Sequence, residues 1–215
     1  MQFQIVRDAI VSVLGASAGA LPTERQFRVI GYQRQAEDAV TALVASVQIF
    51  YNTAAFPKSG GTFIGDSVKH NAEFRIEMTV AKRSKGDLSG LENATTEGDA
   101  ATALATFFEA AQVVDIYMDQ LWSDVWNILM DAENETYGLP TGALSSRWIE
   151  SFQKDQPSPK GEIVILTANA RLSCSVDEEV EGITGVPGSN YDVTLTDING
   201  DTEQKTGVTG ELGGS

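Results

Sequence analysis

Asp99 to Glu133 reads DAATALATFFEAAQVVDIYMDQLWSDVWNILMDAE, and its periodicity decides the fold. Leu104, Phe107, Phe108, Ala111, Val114, Met118, Leu121, Trp122, Val125 and Leu129 recur at steps of three and four, which predicts one broad apolar helix face. Asp99 is placed to cap the helix, alanine is frequent, and no proline intervenes before Pro140, so propensity and pattern agree. Glu109, Gln112, Asp119, Ser123 and Asn127 share the other face. Ile116, Trp126 and Met130 sit among them, so part of that face is expected to meet a partner.

Before this helix, Ile5, Val6, Ala9, Ile10, Val13 and Leu14 form the inward stripe of an N-terminal amphipathic helix. Small residues at Ala16, Ala18 and Ala20 invite comparison with a signal peptide, but Arg7 and Asp8 interrupt the apolar run. Gly19 and Pro22 end the helix. Gln26–Arg34 and Val44–Tyr51 then read as strands, separated by an ambiguous Gln35–Leu43. Asn52–His70 reads as a long loop, and a loop of that length usually contacts something. Ala72–Lys82 alternates with Phe74, Ile76, Met78 and Val80 inward and Glu73, Arg75, Glu77 and Thr79 outward, the pattern of a strand with one wet or partner-facing side.

Beyond the long helix, Tyr137–Ala143 is a turn cluster, and Trp148, Ile149 and Phe152 suggest a short helix over Ser145–Gln153. Glu162–Val176 reads as the longest strand, with Val164, Leu166, Ala168, Ala170, Leu172, Cys174 and Val176 on one face. After Gly182 the composition shifts to Gly, Thr, Asp and Val. There Tyr191–Thr196 and Glu203–Val208 suggest a hairpin about Asn199-Gly200, and the terminal GELGGS reads as disordered. The expected architecture is α+β: one antiparallel sheet of about four strands against a long helix, with an N-terminal helix and a C-terminal hairpin arm. Residues 1–182 form the core domain and 183–215 the extension.

Charge and chemistry narrow the function. The net charge of −15 divides into +3 over residues 1–85 and −18 over 86–215. That argues against a generic nucleic-acid binder and suits head-to-tail assembly. The single cysteine, Cys174, excludes an intramolecular disulfide framework and a four-cysteine zinc site. The single histidine, His70, excludes a histidine cluster. Cys174 falls on an apolar strand face, the position of a structural thiol and not of a nucleophile. Gly60, Gly61 and Gly65 fit neither a P-loop nor a dinucleotide fingerprint. Asp197–Asp201 starts like a calcium loop, but Thr202 and Val208 stand where glycine and a carboxylate are needed. No catalytic, cofactor-binding or metal-ligating residues are expected, and no segment has the roughly 18 uninterrupted apolar residues of a membrane span.

The order of elements, with FRVIGYQRQAEDA at 27–39, FPKSGG at 56–61, FRIEMTV at 74–80, DVWNILMDA at 124–132 and RWIESFQKDQPSPKGEIVILTANARLSCSVDEEVEG at 147–182, resembles the tail terminator, or tail completion, proteins of tailed bacteriophages. The resemblance implies a structural virion protein without enzymatic activity or cofactor. Copies would form a ring of about six subunits that caps the tail tube and joins it to the neck or head completion protein. The tail sheath is a further possible partner, and genomic DNA would pass through a negative lumen without specific binding. The same resemblance makes subunit contacts of Lys58, Ser59, Gly60 and Gly61 in the loop, of Trp126, and of Tyr191, Val193 and Leu195 in the hairpin. It also makes Glu73, Arg75 and Glu77 a surface that continues a neighbour's sheet. Tail tube or head completion proteins remain alternatives, as does, from another class, an acidic cytosolic enzyme or ligand-binding domain. Exchange of His70 and Cys174 for alanine separates that last alternative, because a structural role predicts intact function.

Overall fold

Two helices cover one face of a mixed six-stranded sheet, in an α+β arrangement. The computed structural model describes residues 2–31, 44–55, 67–86, 88, 91, 96–179, 195–196 and 202–203. The chain divides into two units, Met1–Val180 and Glu181–Ser215.

In the first unit, helix α1 (Gln2–Ala20) buries Val6, Ile10, Leu14 and Ala18, a single file at four-residue steps. Ala9 and Val13 flank that file half-buried. Ile5, expected inward, is 57% exposed, because the buried stripe is too narrow to include a residue one step round from Val6.

Helix α2 (Glu97–Met130) is the predicted long helix, displaced by two or three residues at its ends. Its N-cap is Thr96, not Asp99: the extended Thr96 accepts the Asp99 N–H at 3.2 Å, and its hydroxyl donates to the Asp99 carboxylate at 2.7 Å. Ala111, Val114, Met118, Leu121, Val125 and Leu129 are buried as expected, and Phe107 and Trp122 are half-buried. Leu104 and Phe108 are not, at 45% and 60% exposure, since the buried arc centres on Val114 and Val125 and leaves these two on its margin.

The sheet runs β1 (Arg28–Ile30), β2 (Ser46–Ala55), β3 (Ser67–Arg83), β6 (Ile163–Glu179), β4 (Leu144–Lys154), with β5 (Ser158–Lys160) also on β6. It is wider than expected and not wholly antiparallel, because β1 pairs with β2 in parallel. The intervening chain, residues 31–45, is long enough for the crossover that a parallel pair requires. Strand takes both ends of the expected 52–70 loop, with β2 running to Ala55 and β3 beginning at Ser67. β3 and β6, 17 residues each, pair along their whole lengths. Phe74, Ile76, Met78 and Val80 interleave with Leu166, Ala168, Ala170 and Leu172 under α2, and all are buried.

Ser145–Gln153 is strand and not helix. Bulges between Leu144 and Ser146 and between Ile149 and Ser151 insert residues into β4. They place Leu144, Arg147, Ile149, Phe152 and Lys154 on the core face at steps of three and two, a spacing that imitates helical period. Gly161 at φ 61° makes the tight β5–β6 turn.

In the second unit, β7 (Leu195–Thr196) and β8 (Thr202–Glu203) form an antiparallel pair, and the rest of the expected hairpin strands, 191–194 and 204–208, lies outside the described residues. The Asn199-Gly200 turn and the terminal GELGGS lie outside the described residues.

Candidate functional site

Strand alternation sends Glu73, Arg75 and Glu77 to the sheet face away from the helices, where β2 and β6 present Asn52, Asn169 and Arg171 beside them. Arg75 Nε donates to Asn169 Oδ1 at 3.0 Å and its terminal nitrogen pairs with Glu77 at 2.5 Å. Arg75 also lies 5.8 Å from the Phe50 ring centroid. Asn52 donates to Glu73, and Arg171 pairs with Glu73 at 3.2 Å and with Glu150 at 3.8 Å. The Ser173 and Thr167 hydroxyls donate to Glu150 and Asp155, each at 2.5 Å. On this face Glu73, Arg75, Glu77 and Arg171 each have partners within their own sheet, most of them across strands. It cannot extend a neighbour's sheet as expected, because β3 is interior, with both hydrogen-bonding edges occupied by β2 and β6. Another subunit can meet Glu73, Arg75 and Glu77 only by stacking face to face.

Trp126 belongs to a different surface. Phe152 of β4 stacks on Trp122 at 4.3 Å between centroids and 10° between planes, and Trp122 meets Trp126 edge-on at 5.7 Å. Lys154, two residues along β4, reaches Asp115 at 2.6 Å and Asp119 at 2.9 Å. Hydrogen bonds that Lys154 donates to Asp115 and Asp119 raise its pKa, more than offsetting slight desolvation. These contacts tie the margin of α2 to the edge strand and leave Trp126 41% exposed. Five of the eight exposed large apolar side chains among the described residues lie on α2: Leu104, Phe108, Ile116, Tyr117 and Trp126. The helix also carries six acids, Glu97, Asp99, Glu109, Asp115, Asp119 and Asp124, and no basic residue.

Two constellations escaped sequence reasoning because their members are far apart in the chain. Asp124 is buried on α2 and forms a bidentate pair with Arg25, anchoring the short turn after α1. Together they floor a cleft of about 350 Å³ that Val44, Lys82 and Tyr117 also line. Just past the C-terminal end of α2, Arg147 donates to the carbonyls of Asn134 at 2.7 Å and Asp131 at 2.5 Å, and stacks 5.0 Å from the Tyr137 ring. A guanidinium here satisfies carbonyls just beyond the negative end of the helix. The only local hint was an aspartate at a position of the apolar arc of α2.

The residues weighed for nucleophilic chemistry are interior. His70 is 2% exposed, on the core face of β3 opposite Val176. Cys174 is fully buried, and burial pushes its thiol up to about 12, partly opposed by Arg147. A group so placed holds its proton at neutral pH. Burial likewise raises the Tyr137 hydroxyl, which donates to the Leu129 carbonyl at 3.2 Å.

Lys58, Ser59, Gly60, Gly61, Tyr191 and Val193 lie outside the described residues, as does Asp197–Asp201, and Leu195 is placed in β7. Among the described residues no group of three or more His, Cys, Asp or Glu side chains is arranged to hold a metal ion, and no helix is long and apolar enough to cross a membrane. No family model matches the chain, and no curated protein sequence matches it.

Proposed function

We propose that this chain is a structural virion protein, a tail terminator whose copies form a ring of about six subunits closing the tail tube of a bacteriophage and joining it to the neck. The observation that carries the assembly part is α2. A soluble subunit that holds Phe108, Ile116 and Trp126 in water, on a helix without a single basic residue, has a surface suited to a protein partner. The virion assignment rests on the resemblance of the motifs at 27–39, 56–61, 74–80, 124–132 and 147–182. Its direct partners are then further copies of itself, the tail tube protein and the neck or head completion protein, in the virion. The excess of acid in residues 86–215 suits a lumen through which DNA slides, because fixed negative charge repels phosphate.

Light scattering on the purified protein followed by negative-stain imaging tests the proposal. Closed rings that do not lengthen are the expected result, and long filaments would reassign the chain to a tube protein. A monomer at every concentration that also binds a metabolite would replace the proposal with a ligand-binding domain. Removal of residues 183–215 should impair assembly, and unimpaired assembly would remove any role for the C-terminal unit in ring contacts.

A further inference from the structure

Resting on that proposed ring, we infer that copies associate head to tail, with the α2 flank beside β4 in one copy seated against the β1 edge of the next. The first ground is the layering. α2 packs across β3 and β6, and α1 across β1 and β2, whereas β4 reaches α2 through long side chains at its margin. Ile149 and Phe152 on the core face of β4 are accordingly only half-buried, while Ala170 and Leu172 opposite them on β6 are within 2% of full burial. Among the described residues, the core is left open along one side.

Leu104, Phe108 and Trp126, on the flank of α2 that carries Trp122, line that open side. Phe108 and Trp126 are separated by five helical turns, so they project along one line spanning about 27 Å. Trp122, which touches β4, stands next to that line. Charge then selects the occupant. With Lys154 neutralising one of Asp115 and Asp119, the flank keeps a net negative charge and repels its own image, so a two-fold contact of this surface with itself is disfavoured. The opposite sheet edge is its complement: β1 carries exposed Arg28 and borders a concavity of about 410 Å³ lined by Arg7, Val11 and Val29 as well as Asp8. Apolar surface and a cation excess meet apolar surface and acid. Because the two surfaces sit at opposite edges of one sheet, the contact is heterologous and repeats from copy to copy, as a ring needs. The β4 edge itself is blunted by two bulges, and β5, which follows it along β6, carries Pro159, so the contact uses the flank above this edge and not strand addition.

Full-length Phe108→Asp breaks one surface and Arg28→Glu the other. Both residues are exposed, so circular dichroism and melting temperature should match the wild type; if Phe108→Asp unfolds, Leu104→Asp takes its place. Each variant alone should lose about tenfold or more in association and run as a monomer by light scattering. Mixed one to one they should form a dimer, because each supplies the surface the other lacks. Wild-type rings together with variants that still assemble, or folded monomers that fail to pair on mixing, would overturn this contact and leave the ring proposal standing. A wild type that is monomeric at all concentrations would overturn both.

Discussion

The two faces of β3 and β6 are made by alternate residues of the same two strands and behave as opposites. On one, Phe74, Ile76, Met78, Leu166 and Leu172 are dry and locked under α2. On the other, Glu73, Arg75 and Arg171 pair across strands while their side chains remain partly in water. The first face drives folding, since removal of apolar area from water is the dominant favourable term. The second decides what the sheet tolerates beside it, because partly solvated ion pairs add little stability. The α2 flank follows neither rule: it is apolar like the first face and exposed like the second.

Mutations test this contrast directly. The largest effect should come from Phe74→Ala, which empties a fully buried ring position and should cost about 3–5 kcal/mol in urea unfolding. Asp124→Asn comes next, at about 1–2 kcal/mol, since Asp124 is buried but the 42% exposure of the Arg25 side chain screens much of the pair. The contrast would fail if Asp124→Asn were as damaging as Phe74→Ala, because a polar contact at the margin would then rival the dry core.

Cys174 sharpens the contrast through pH. Its thiol pKa is raised in the folded state, so its contribution to stability is fully present below the unfolded value near 9 and is lost as pH rises through about 12. Wild type should therefore lose about 1 kcal/mol more than Cys174→Ala between pH 8 and 10. Denaturation series at the two pH values measure this, and equal losses would mean that the site is wetter than its burial implies. The smallest effect should be that of Arg75→Ala, within about 0.5 kcal/mol. A loss near that of Phe74→Ala would make the outer face part of the folding core.

Legibility in the sequence followed regularity. β3 over Ala72–Lys82 and β6 up to Val176 were readable because unbroken alternation maps one to one onto two faces, whereas the start of β3 from Ser67 was read as loop; α2 was readable because its period persists through nine turns. β4 was misread as helix because its two bulges replace alternation with steps of three and two, so Ile149 and Phe152 look like one helix face. The Thr96 cap was missed because Asp99 is an equally good capping residue three positions on. Of the candidate contact residues, Trp126 was visible as an apolar residue among polar neighbours. Phe108 was not, since its position fits the apolar stripe and only the width of the buried arc excludes it.

The sequence by itself determined the two long helices, the two longest strands and their apolar faces, the absence of a disulfide framework and the acid excess toward the C-terminal side. These follow from local periodicity and composition, which need no partner in space. Tertiary structure alone decided that β3 is interior, that β1 runs parallel to β2, that Arg25 meets Asp124, and that the α2 flank beside β4 stays uncovered. Each depends on which distant segments become neighbours, and that choice is made by the joint packing of two helices on one sheet, to which no local pattern refers.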